Sequence, residues 1–178
     1  MLVGDICKAG LHTNPLAVII PAIKDEVAMS CRSIMNPDSP KLTLPLSVEQ
    51  ATEALFQEKQ RSLPVVDERG RYVGLFGSHQ LLLLAMPKAA RIDEAQSLAF
   101  VTEEPAQIVE RLKAVAKHPV ERYADKESAT VGPDTSIMEA LHQLYRSRDD
   151  LPVVDPHTGS FQGLISARRA FMKMMEKV

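Results

Sequence analysis

The chain has 178 residues, 45% hydrophobic and 25% charged, which supplies a buried core and argues against wholesale disorder. A formal net charge of -2 leaves no basic field to hold a nucleic-acid backbone, so a general DNA or RNA binder is excluded as a first reading. The longest apolar run, Leu81 to Met86, is too short to cross a bilayer, and no secretory signal is read at the start.

Residues 1–30 read as an N-terminal extension: an extended arm containing Leu16 to Ala22, broken by Pro21, then a short helix over Lys24 to Ser33. A strand is expected at Leu42-Thr43-Leu44-Pro45. A helix follows from Ser47, where Ser47-x-x-Gln50 forms a capping box and Val48, Ala51 and Leu55 make a weak apolar stripe. Leu63-Pro64-Val65-Val66-Asp67 reads as a buried strand because of its β-branched pair. The turn Glu68-Arg69-Gly70 returns the chain along Tyr72 to Phe76, and a closing helix runs from Ser78 to Met86. In the joining segment, Glu103 and Glu104 suit a helix N-terminus. Ile108, Val109, Leu112, Val115 and Ala116 form its face, and His118-Pro119 ends it.

The order then repeats. Leu151-Pro152-Val153-Val154-Asp155 matches Leu63 to Asp67, and Phe161-Gln162-Gly163-Leu164-Ile165 matches Tyr72 to Phe76. Ala129 to Gly132 matches Leu42 to Pro45. Ser136-x-x-Glu139 matches Ser47-x-x-Gln50 and opens a helix with the stripe Ile137, Ala140, Leu141, Leu144 and Tyr145. Ala167 to Lys177 closes the second copy. The offset is 89 positions for the capped helix and the glycine strand, 88 at the Leu-Pro-Val-Val-Asp strand and 87 for Ala129 to Gly132. Each copy reads β-α-β-β-α.

The sites of ordinary chemistry are not read. Cys7 and Cys31 lack zinc-ligand spacing, and the five histidines form no HxxxH or HExxH pair. No nucleophile elbow and no phosphate-binding Walker loop occur. Asp149-Asp150 reads as a solvated turn rather than a metal pair. Arg168 and Arg169 with Lys173 and Lys177 read as a solvated basic face, and Phe171, Met172, Met174 and Met175 as helix packing or an assembly surface.

The recurring Leu-Pro-Val-Val-Asp, glycine hairpin and Gly-hydrophobic-hydrophobic-Ser pattern resembles the cystathionine-β-synthase (CBS) domain, over about Ser33 to Pro87 and Val120 to Lys177. Two copies resemble a Bateman module. The resemblance implies an α/β (α+β) fold of two pseudo-twofold-related β-α-β-β-α repeats packed through their sheets. The expected division is an extension 1–30, repeat 1 at 31–88, a helical linker 89–119 and repeat 2 at 120–178. The resemblance further implies a cytoplasmic, non-enzymatic regulatory protein with no catalytic cofactor. It would form a homodimer through the capped and closing helices, including Leu144 and Met172. Its clefts would hold AMP, ADP, ATP or another adenosyl compound, or a similar anion, and signal to a regulated protein in trans. The alternative is a scaffolding dimerisation module with degenerate clefts. Neither a nucleic-acid partner nor membrane insertion is expected.

The family's ligand pattern, Gly-h-x-[Ser/Thr]-x-x-[Asp/Asn], falls on Gly74 to Gln80 and on Gly163 to Arg169. Gly77 and Gln80 replace the hydroxyl and the ribose-binding acid in the first copy. The second keeps Ser166 but has Arg169 for the acid. Arginine only donates, so it suits phosphate or carboxylate rather than a ribose diol. The residues the resemblance assigns to nucleotide binding are Ser166, Arg168, Arg169 and Thr130 in the second repeat, and Arg61, Thr43, Ser78 and Gln80 in the first. A closed second cleft, with Arg169 paired to Asp149 or Asp150, stays open as the alternative.

Overall fold

The structure, a computed structural model, describes residues 30–91, 104–147 and 149–176. In chain order it contains α1 (Cys31–Ile34), β1 (Leu42–Thr43), α2 (Val48–Gln57), β2 (Ser62–Val66), β3 (Tyr72–Gly77) and α3 (Ser78–Ala85). A 3-10 turn (Lys88–Arg91), α4 (Pro105–Val115) and a second 3-10 turn (Val120–Arg122) lead to α5 (Ile137–Ser147), β4 (Leu151–Val154), β5 (Phe161–Ile165) and α6 (Ala167–Met175). No helix among the described residues is long and apolar enough to cross a membrane.

In repeat 1, β2 pairs antiparallel with β3, Leu63 opposite Phe76, and β1 adds in parallel at Leu42↔Val65. In repeat 2, β4 pairs with β5 in the matching register, Leu151 opposite Ile165. The strand expected at Ala129 to Gly132 shrinks to one bridge, Val131↔Val153. The reason lies in the sequence. In repeat 1 the ladder continues through Leu44 N–H to the Val66 carbonyl at 2.9 Å. The observed register puts Val131, not Ala129, at the place of Leu42, so Pro133 stands where Leu44 does and has no N–H to give.

Each repeat has its own core, but each core borrows from the other copy. Cys31 and Ile34 of α1 are fully buried against Ile137, Leu144, Leu151 and Ile165 of repeat 2. Val120 and Ala124 are buried against Leu42, Val48, Leu55 and Phe76 of repeat 1. The exchange is symmetric: Cys31 N–H donates to Thr135 O and Val120 N–H to Leu46 O, both at 2.9 Å. Gly163 and Gly74 let these segments in. A Cβ on Gly163 would lie 2.6 Å from Asn36 O, and one on Gly74 would lie 2.7 Å from Asp125 O. The hairpin turns also pair across the repeats, with Tyr72 N–H to Gly159 O at 2.9 Å and Phe161 N–H to Gly70 O at 3.0 Å.

Leu144 belongs to the repeat 2 core and is buried within the chain, so it cannot serve as a dimer contact. Met172 is half exposed. The helix expected over Lys24 to Ser33 is described only from Ser30, where Cys31–Ile34 is helical; the rest of that expectation lies outside the described residues.

Candidate functional site

The second repeat gathers its polar residues where β5 meets α6. Ser166 leaves the strand in an extended conformation and caps the helix, its Oγ accepting from Arg169 N–H at 3.2 Å. That places Arg168 and Arg169 in the first turn, beside the partial positive charge of the helix N-terminus. Ser166, Arg168, Arg169, Met172, Lys173 and Glu176 line a recess of about 310 Å³. Arg169 Nε donates to Met35 O at 3.2 Å, so the exchanged leading segment fixes that side chain. Lys173 Nζ donates to Glu176 Oε2 at 2.6 Å. This hydrogen bond and charge, with a contribution from Arg169, hold the Glu176 carboxyl below its ordinary pKa. The recess therefore presents three cations against one carboxylate and suits an anion. Thr130 is exposed and is not among the residues lining it. Glu176 was not anticipated; its i+7 spacing from Arg169 on one helix face was the available signal.

The first repeat spends its corresponding residues on its own structure. Gly77 stands where the hydroxyl would be, because a Cβ there would meet Arg61 O at 2.4 Å and Ser62 at 2.7 Å. With no side chain at the cap, Gln80 takes over: it is buried, and its Oε1 accepts from Gly77 N–H at 2.9 Å. Gln80, expected at a ligand, is thus a helix cap. Ser78 gives both its N–H (2.9 Å) and its Oγ (3.2 Å) to Arg61 O. Thr43 and the Arg61 side chain are exposed. These four residues do not converge on one cavity.

Arg169 does not pair with Asp149 or Asp150. The two acids meet the positions they correspond to, Arg61 and Ser62, across the pseudo-twofold. Asp149 Oδ1 accepts from Ser62 Oγ at 3.2 Å. Burial raises the Asp150 pKa, the adjacent Asp149 charge adds to the rise, and Arg61 opposes it. Both acids line a cleft of about 460 Å³ with Leu75, Asp125, Glu127 and Ser128. Its acidity disfavours phosphate. A third cavity is a mainly apolar groove of about 620 Å³ between α2, α3 and α4, bordered by Phe56, Leu82 and Val109. Among the described residues no group of His, Cys, Asp and Glu could hold a metal ion.

Comparison with known proteins bears on this arrangement. None of the curated proteins compared matches the sequence. Among solved structures, CBS-pair protein CBSX2 from Arabidopsis thaliana superposes with a TM-score of 0.63 at 19% identity, covering 83% of this chain and 95% of that one. CBSX2 crystallised in complex with AMP gives 0.61 at 21% identity, over 83% and 97%. Protein MJ1004 from Mathanocaldococcus jannaschii gives 0.59 at 20% identity; 83% of this chain is covered but only 60% of that protein's length. These likenesses establish the fold. The family model described as CBS domain matches residues 31–86 and again 120–176, more than half of the sequence, and the chain belongs to the CBS domain family.

Proposed function

We propose that this chain is a stand-alone regulatory CBS-pair protein that holds the phosphate of an adenine nucleotide, or a related anionic ligand, at the start of α6. The observation that carries the reading is the convergence of Ser166, Arg168, Arg169 and Lys173 on one recess at a helix N-terminus. The AMP complex of CBSX2 supports the ligand class. In this reading the site acts on folding geometry rather than on bonds, so the protein is no enzyme. Arg169 is already tied to Met35 on the exchanged segment. A ligand that pulls on it favours one arrangement of the two repeats, and a preference of a few kcal/mol suffices to shift the population read by a partner in the cytoplasm. The division into extension 1–30, repeats 31–88 and 120–178 and linker 89–119 belongs to the same reading. So does a homodimer, for which Phe56 and Leu82 beside the open α2–α3–α4 groove offer the contact.

Calorimetry with AMP, ADP and ATP tests the site. Arg168 is exposed, so Arg168→Ala removes charge with little structural cost. Arg168→Ala and Arg169→Ala should each weaken binding by roughly 1.5–3 kcal/mol. Gln80→Ala should lower the melting temperature and leave affinity unchanged. Equal affinities in all three variants would remove the α6 site. Absence of binding to the native chain would favour the scaffolding reading, which the structural commitment of Gln80 and Ser78 in repeat 1 already supports.

A further inference from the structure

The closing helices of the two repeats carry different chemistry at the same places. At the positions of Arg168, Arg169, Lys173 and Glu176 on α6, repeat 1 has His79, Gln80, Leu84 and Pro87. Leu84 is buried in the repeat 1 core. The fold itself therefore does not demand the charged groups of α6.

What these groups can do follows from their donors and acceptors. Arg169 gives its Nε to Met35 O, and both its Nη groups stay without a hydrogen bond among the described residues. The exposed Arg168 side chain has no partner among them either. Lys173 gives one donor to Glu176, and an ammonium has three. The recess thus offers three separate groups that still donate. Its side-chain oxygen acceptors are the Ser166 hydroxyl and the Glu176 carboxylate, and each already takes a bond. A ligand is read here by oxygens that accept rather than by hydroxyls that donate.

Charge sharpens the match. Three cations and one carboxylate leave the recess with two positive charges. A terminal phosphoryl group brings about two negative charges and three acceptor oxygens, one for each donor group. A phosphate esterified on both sides brings a single charge and only two free oxygens. The volume of about 310 Å³ lies at the small end for ligand sites, which suits a compact head group.

We propose that the α6 recess is specific for a terminal phosphoryl group. It takes nucleotides that end in a free phosphate and discriminates against phosphodiesters, cyclic or bridging, and against adenosyl compounds without phosphate. The inference rests on the reading that this recess holds phosphate, and narrows the ligand class within it.

Calorimetry on the full chain tests it, with AMP, ADP and ATP each compared with its analogue methylated on the terminal phosphate. Methylation removes one charge and one free oxygen and leaves the base and ribose intact. The tightest binder of the three should lose roughly tenfold or more in affinity on methylation. Lys173→Met leaves two donor groups for the ester's two free oxygens, so the ratio of the two affinities should fall below about threefold. Arg168→Ala, at an exposed position, should compress the ratio likewise. A merely structural role would lower both affinities and leave their ratio unchanged. Equal binding of free and methylated nucleotides, or a ratio indifferent to both substitutions, would overturn the specificity and leave the phosphate site standing. Failure of every one of these compounds to bind would remove the site and this inference with it.

Discussion

Ser39 and Ser128 occupy corresponding positions in the two repeats, yet among the described residues only one has a partner. Ser128 Oγ lies 2.7 Å from the Tyr72 hydroxyl, whereas the buried Ser39 Oγ has no hydrogen-bond partner among them. The counterpart of Tyr72 is Phe161, which carries no hydroxyl. Phe161→Tyr should supply the missing group and stabilise the protein by about 1 kcal/mol, measured by urea titration. A destabilised variant would mean that the added oxygen cannot reach Ser39. Asp150 makes a second prediction at this scale. Its folded pKa is raised by burial and by Asp149, so the fold favours the protonated form. The stability tied to this group is present below the unfolded pKa of about 3.9 and is lost as pH rises through the folded value. Asp150→Asn should therefore melt at a higher temperature than the native chain at pH 7. The difference should shrink as both are acidified toward the unfolded pKa. A constant difference across that range would assign the effect to packing.

The helix starts show how a local rule is completed or broken by what surrounds it. Ser47 and Gln50 form the full reciprocal box, with Gln50 N–H to Ser47 Oγ at 3.3 Å and Ser47 N–H to Gln50 Oε1 at 3.0 Å. In repeat 2 only half forms: Glu139 N–H reaches Ser136 Oγ at 3.2 Å, while the Glu139 carboxylate accepts from Gln143 at 2.9 Å. Gln50→Ala should thus cost about 0.5–1.5 kcal/mol in chemical denaturation. Glu139→Ala should fall within about 0.5 kcal/mol of neutral, and equal losses would refute the distinction. The strands, capped helices and hairpins were legible because their signals are local: alternation, a hydroxyl at a helix start, glycine at a turn. What escaped depends on distant chain. Gln80 turns inward because β2 passes too close to Gly77 for any side chain at the cap. Arg169 is held by Met35, 134 residues earlier, and Asp149 by Ser62. No spacing in the sequence announces those partners. The Ser166–Arg168–Arg169 cluster was legible, because one strand end and one helical turn deliver it together.

At the scale of the whole molecule, the exchanged leading segments tie each core to the other repeat. Ile34 is covalently part of repeat 1 but buried in the core of repeat 2. Ile34→Ala should cost about 2–5 kcal/mol. Hydrogen exchange should show the loss of protection first in α5, β4 and β5 rather than in the strands of repeat 1. Protection lost first in β2 and β3 would contradict the exchange of segments. The pseudo-twofold was an implication of the family resemblance that the repeated motifs carry. The exchange was not, because the register of two similar copies is the same whether each leading segment folds onto its own repeat or onto the other.

That crossing carries a consequence for the history of such chains. A solitary repeat with this connectivity cannot complete its own core; it must take the leading segment of a second molecule and surrender its own. Reciprocal exchange of this kind closes after two copies, so the simplest precursor is a segment-swapped dimer. Duplication in tandem turns that bimolecular exchange into an intramolecular one. The fold then no longer depends on dilution, because the tether sets a fixed effective concentration. Once joined, the copies are free to diverge: Gly77 and Gln80 serve structure in one, while Ser166 and Arg169 remain beside a recess in the other.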